Sequence, residues 1–273
     1  GRIQTLFPKI KMTKIQKRHT EDKRFYCIRE EDKDPMFIPS VTTIIHGVSA
    51  NHFLQNFKEE QAEKMGVLGS KLQLFLDADR GTNVHSAIEQ YNLRHIQKED
   101  TPLGWNIYTD QEWKCINRYH QWFHIRKPRV LSTEYNVYSK EHWFAGQLDS
   151  VMEITPPKAK KSDPDREAGV YIVDFKTSKD IYEDAHEQVA AYAFAYEEIT
   201  GKKVDGALVL ALRVSTKKGW KERYFDRAEL EENFKGFLLR KAYFNWKNPD
   251  FQPKRDLFPE EILPLTSPSD EME

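Results

Sequence analysis

The sequence predicts an α/β fold in which a central mixed β-sheet is flanked by helices. Three observations carry that expectation. Val170-Tyr171-Ile172-Val173 is an unbroken apolar run with β-branched and aromatic residues, which reads as a strand entering a buried sheet. Residues 130–138 and 143–154 look like a hairpin turning at Ser139-Lys140-Glu141-His142. The predicted order of helices, three strands, a helix, two strands and a final helix is that of a sheet with helices packed against it.

Taken in order, residues 1–36 read as a basic arm. Arg2, Lys9, Lys11, Lys14, Arg24 and Lys33 are among its cations, and residues before Met12 stand open between a native and an appended segment. Such an arm either tracks phosphates through counterion release or is a solvated end. Residues 37–45 (FIPSVTTII) read as an extended approach to a helix N-cap at Ser40 or Thr42. A helix is expected over 51–65, punctuated by Gly66 and Gly69, and a mostly polar one over 70–80. Gly81-Thr82 then opens a further helix, with Thr82 as its cap. His85 and Glu89 stand four apart on one face of it. Residues 110–125 form another helix, rich in aromatics, with Pro128 beyond its end. Trp105, Trp113, Trp122 and Trp143 read mainly as core, with one or two able to stack on unpaired bases.

After the hairpin, residues 156–169 are a polar, proline-bearing loop, and the run at 170–173 continues into Asp174-Phe175-Lys176-Thr177-Ser178. A helix over 181–200 ends at Gly201. An apolar strand follows at 206–214 and an edge strand at 220–225. Asp226 caps an amphipathic helix over 227–247, before an acidic tail at 248–273. The organisation expected is one domain over 37–247, helical to 128 and sheet-based from 129.

At 273 residues, with 39% hydrophobic and 31% charged residues, the chain can bury a sizeable core. A net charge of −1 does not by itself announce a nucleic-acid binder. No apolar run is long enough to cross a membrane. Two cysteines, Cys27 and Cys115, are too few for a disulfide framework or a four-cysteine metal or iron–sulfur site, and they suit a reducing, intracellular compartment. No phosphate-binding motor signature G-x-x-x-x-G-K-S/T is present.

The chemistry-bearing residues come from five predicted elements. Asp174 and Lys176, two apart on a strand, share a face. Asp149 follows Gly146-Gln147-Leu148 on the preceding strand, Glu134 lies on the first strand, and His85 and Glu89 lie on a helix. Gln188 and Tyr192 stand four apart on the helix after Asp-x-Lys. Ionised groups at a buried strand end are costly unless paired or bound to metal. Carboxylates on neighbouring strands with an imidazole near them suit Mg²⁺ or Mn²⁺. Each piece also has an ordinary reading. Asp-x-Lys is a salt bridge, His85 bonds Glu89, Asp149 caps a strand, and Gln188 and Tyr192 pack a helix on the sheet.

In order and spacing, GTNVHSAIE, GQLDSV, IVDFKTS and QVAAY resemble the motifs of the PD-(D/E)XK superfamily, in its RecB-like nuclease branch. The IPSVTTII run and the compact size are most similar to the mitochondrial, phage and bacterial exonucleases of that branch. The resemblance covers residues 37–247. It implies a restriction-endonuclease-like core under an N-terminal helical arch (residues 51–127). It also implies one or two Mg²⁺ or Mn²⁺ ions on His85, Asp149 and Asp174, and catalysis by Lys176 with Asp149 and Asp174. Gln188 and Tyr192 would position substrate, with Glu89 and Glu134 as further acidic groups. The activity implied is exonucleolytic hydrolysis of single-stranded DNA ends or flaps, in DNA replication or repair. A phage or bacterial cytoplasm or a mitochondrial matrix would be the setting. A structure-specific endonuclease of the same fold and a non-catalytic DNA-binding subunit are the alternatives.

Overall fold

The computed structural model describes residues 14–19, 24–29, 36–48, 52–104, 107–158 and 167–252. A five-stranded mixed sheet forms its centre, in the order β4-β5-β6-β7-β8. β4 (Arg129–Ser139), β5 (Phe144–Ile154) and β6 (Gly169–Lys176) run antiparallel to their neighbours. β6 then pairs in parallel with β7 (Gly206–Ala211), and β8 (Lys221–Phe225) closes the edge antiparallel. The change from antiparallel to parallel follows from connection length. A tight turn joins β4 to β5, whereas α4 (Asp184–Thr200) carries the chain from β6 back to the start of β7.

Strand alternation divides the core. Ile172, Ala207 and Val209 face α1 (Val41–Val48), α4 and α5 (Arg227–Lys247). Val173, Phe175, Leu208 and Leu210 face α2 (His52–Gln97) and α3 (Asp110–Arg126). Both helical layers therefore bury apolar side chains against one sheet, the dominant stabilising term of such a fold.

Several helix ends sit where local chemistry predicts. Ser40 Oγ accepts from Thr43 N–H at 2.9 Å, so Ser40 caps α1. Asp226 and Glu229 form a capping box at α5, and Thr109 with Glu112 does the same at α3. Gly201 ends α4 in the left-handed conformation.

Two expectations need correcting. The segment over 52–97 breaks at Gly66 as expected, where the backbone leaves helical geometry (φ 75°, ψ 162°), but from there it runs on to Gln97 as one stretch. It does not restart at Gly81, and Thr82 donates back to Ala78 O at 3.2 Å as an interior residue instead of capping. The pairs Arg80–Gln111, Asn83–Glu112 and Asn92–Tyr119 advance together, so α2 and α3 lie side by side in the same direction.

The arm read over 1–36 is also structured in part. β1 (Lys14–His19), β2 (Arg24–Arg29) and β3 (Met36–Pro39) make a second, antiparallel sheet. Tyr26, Ile28 and Ile38 pack on Ala145 of β5, while Phe25 stacks on Phe251, so this sheet belongs to the same body as 37–247. Ser40 bridges Ala145 in parallel, fixing the direction of β3 relative to β5. The remainder of the arm, most of the loop over 156–169 and the tail beyond 252 lie outside the described residues.

Candidate active site

The site forms where two strands part. The β5–β6 ladder ends at Ser150–Val173, and the next residue on each strand is a carboxylate, Asp149 and Asp174. Beyond the last rung, Phe175 N–H has no β5 carbonyl to meet. It donates instead to Asp149 Oδ2 at 2.6 Å. The fork thus gives Asp149 a structural reason to sit there and fixes its second oxygen, Oδ1, toward α2. His85 reaches that oxygen from α2, Nδ1 to Oδ1 3.2 Å. This bond runs to Asp149, where the helix-face reading had paired His85 with Glu89.

Asp174 is 2% exposed and points toward Lys176. Lys176 Nζ donates to Asp174 Oδ1 at 3.2 Å and to Gln188 Oε1 at 2.9 Å. Asp174 Oδ2 lies 2.8 Å from the same nitrogen but at an angle that leaves it without a proper hydrogen bond. Gln188 Nε2 donates in turn to Tyr192 OH at 3.1 Å. A chain of contacts therefore runs from the sheet carboxylate through the lysine to α4. Gly146 makes room for it, because a Cβ there would overlap the Tyr192 ring.

Burial and neighbouring charge set the protonation states. Burial alone would strip His85 of its proton, but Asp149, and more weakly Asp174, outweigh it and raise its pKa to about 9. Burial also works against charge on Asp149. The His85 charge and hydrogen bond overcome it and hold this carboxyl below the usual range. Burial drives Asp174 up to about 6, opposed by Lys176 and reinforced by Asp149. Lys176 loses solvation, yet Asp174 and Asp149 hold its pKa above the ordinary lysine value.

His85, Glu134 and Asp149 bring one ligand atom each within 4.8 Å of one another. One imidazole and two carboxylates are a donor set for a divalent cation of intermediate hardness, and the under-satisfied carboxylate beside them adds negative charge. The residues present therefore fit a metal. Asp174, expected as a third ligand, falls outside this group and faces Lys176, whereas Glu134 takes its place. Glu134 sits opposite Asp149 on β4 with a left-handed backbone (φ 47°), a strained conformation for a non-glycine residue that sequence patterns do not signal. Glu89 lines the same cleft but lies outside the ligand group.

The cleft has a volume of about 430 Å³. Besides the expected residues, Tyr26 of β2 and Ser40 and Thr42 of the β3–α1 junction line it. Sequence reading missed Tyr26 because it fell in the segment taken as an arm. The apolar run Phe25-Tyr26-Cys27-Ile28 between Arg24 and Arg29 was the available signal.

Trp122 is buried and Trp113 partly so, stacked on Tyr108, whereas Trp143 is 53% exposed. Trp105 lies outside the described residues. Cys27 and Cys115 are buried free thiols on separate elements. Among the described residues no helix is long and apolar enough to cross a membrane. No protein-family model matches the chain, and no match is found among curated proteins.

Proposed function

We propose that the chain is a metal-dependent nuclease of the PD-(D/E)XK superfamily, RecB-like branch, acting as an exonuclease on single-stranded DNA ends or flaps. The observation that carries the reading is the strand fork. It sets Asp149 and Asp174 side by side, with a lysine held as an ammonium next to them and an imidazole brought across from α2. A salt bridge alone needs neither a second carboxylate nor a histidine directed at it.

His85, Glu134 and Asp149 would hold Mg²⁺ or Mn²⁺, and the imidazole favours Mn²⁺. Such an ion supplies Lewis-acid polarisation of a phosphoryl oxygen and acidifies water. The chain's own groups do the rest. Lys176, kept protonated by Asp174 and Asp149, donates toward the attacking water or a phosphoryl oxygen and does not take the proton. Gln188 and Tyr192 hold its ammonium in place through two successive hydrogen bonds. His85 must shed its proton before it ligates, so the metal and that proton compete for one nitrogen. Of the expected helical arch, the part of α2 over residues 81–89 lines the cleft and would flank a threaded strand, whereas α3 packs on the sheet.

The test is digestion of a linear single-stranded oligonucleotide, labelled separately at each end, with Mg²⁺, Mn²⁺ or EDTA. Metal-dependent shortening that spares a circular substrate establishes the exonuclease. A cleaved circle makes it an endonuclease of the same fold. Binding with no cleavage under either metal removes the catalytic reading.

A further inference from the structure

A second pocket, of about 270 Å³, lies between β3, the β4–β5 turn and the C-terminal end of α5. Phe37, Trp143 and Phe244 supply aromatic walls, and Asn245, Gln252 and Lys241 supply polar groups. Two features set it apart from ordinary surface. Trp143 is more than half exposed and has a left-handed backbone (φ 54°), strained for so bulky a residue, so the fold holds an indole out at the rim. Lys241 is only partly exposed, burial pulls its pKa down, and among the described residues no carboxylate pairs with it. An aromatic face, side-chain amides and an uncompensated cation are what a base, its hydrogen-bonding edge and a phosphate require.

The pocket also stands in line with the cleft. Along β3 and into α1, Phe37, Ile38 and Pro39 line the pocket, while Ser40 and Thr42 line the cleft. Trp143, just before β5, lines the pocket, while Gly146 and Gln147 of β5 line the cleft. The parallel Ser40–Ala145 bridge sets these two segments side by side and pointing the same way. Three residues of strand separate the sites, roughly 10 Å. That is about three stacked nucleotides at 3.4 Å each, and fewer in a stretched strand.

We infer that this pocket is a nucleotide subsite, which stacks one base of a single strand on Trp143 and receives its phosphate at Lys241 while another part of that strand occupies the cleft. The inference rests on the nuclease reading and adds a fixed contact outside the reacting centre. Its size suits a single base better than a whole cofactor.

Fluorescence anisotropy with short labelled oligothymidylates in EDTA reads binding without cleavage. Trp143→Ala should weaken binding roughly 5- to 150-fold, the range for one lost stack. Lys241→Gln should lower the salt dependence by about one phosphate contact. An abasic residue walked along the oligonucleotide should cost the wild type affinity at one position to which Trp143→Ala is indifferent. Both side chains lie at the surface, and circular dichroism checks that the variants fold. Wild-type affinity in both variants, or a uniform abasic loss, overturns the subsite and leaves the nuclease reading standing. Failure of the wild type to bind any oligonucleotide overturns both.

Discussion

The central sheet carries two clusters of carboxylate and cation, and they differ in how fully their charges are answered. On β8, Glu222 Oε1 accepts from Trp122 Nε1 at 2.8 Å, Arg126 Nε at 2.8 Å and Tyr224 OH at 3.0 Å, and Oε2 accepts from Arg126 Nη2 at 2.6 Å. Burial opposes its charge, but Arg126 and Trp122 outweigh it and hold its pKa below the usual range. At the β5–β6 fork, His85 and Phe175 N–H answer Asp149, but Lys176 bonds only one oxygen of Asp174, Asp174 Oδ2 lacks a proper hydrogen bond, and its pKa is pushed up. The first arrangement pins α3 to the sheet edge. The second leaves one buried carboxylate oxygen without a hydrogen bond beside a cleft that Asp149 and Glu134 line, an arrangement in which a cation could be bound. The saturation of a buried carboxylate separates the two roles better than burial does.

The sharpest way to break this contrast is to remove one charged group from each cluster and compare. Lys176→Ala should lower cleavage by about 10³-fold or more while folding and DNA binding persist, because its loss removes a preorganised donor. Retained cleavage in a clean preparation would refute the assignment. Glu222→Ala should cost stability instead, about 3–5 kcal/mol at neutral pH, since Arg126 and Trp122 lose their shared acceptor. Chemical denaturation measures it. Glu222 has a lowered folded pKa, so its contribution is complete above the unfolded value of about 4.3 and is lost as pH falls through the folded value. The variant's deficit should shrink accordingly in acid. Metal affinity should not change, and if it did the two clusters would not be independent.

A smaller effect sharpens the picture of the fork. His85 has a raised pKa, so it is protonated below about 9, and metal must displace that proton. Mn²⁺ affinity should rise roughly tenfold per pH unit from neutrality toward 9 and then level off. Calorimetry in buffers of different ionisation enthalpy should show about one proton released per ion. A pH-independent affinity would place His85 outside the coordination shell. The least effect is expected at Glu89. Glu134→Gln should weaken Mn²⁺ binding by roughly tenfold or more, and Glu89→Gln by less than about threefold.

What the sequence made legible was local. Asp226 with Glu229, Gly201 and the turn at Ser139-Lys140-Glu141-His142 place their element ends by short-range chemistry, and these were readable directly. Gly66 and Gly81 looked alike as breaks, yet only Gly66 breaks α2. At Gly81 the packing of α2 on α3 keeps the helix going, and even a Cβ there would meet nothing nearer than Thr177 Oγ1 at 3.5 Å. Asp149, Asp174, Lys176 and His85 were readable as chemical types, and the fold does bring them together. That Glu134 joins His85 and Asp149 in the cluster that could hold a cation, while Asp174 faces Lys176, depends on where two strands part and on one left-handed residue, neither of which has a sequence signature. The small N-terminal sheet was hidden for a related reason. Its strands are short, and its buried face is completed by Ala145 from a distant part of the chain.

That distance has a consequence for the order of events during synthesis. β2 and β3 leave the ribosome before β5, and the surface they need, Ala145, follows more than a hundred residues after Ser40. At about 5–20 residues per second the early strands wait roughly 5–20 s with Tyr26, Ile28 and Ile38 unburied. A three-stranded sheet of this size has little stability alone. Tyr26, Ser40 and Thr42 can therefore line the cleft only once their segment docks onto one made later. A nascent chain makes Asp149 and Asp174 well after β2 and β3, and its complete cleft forms only when these segments meet.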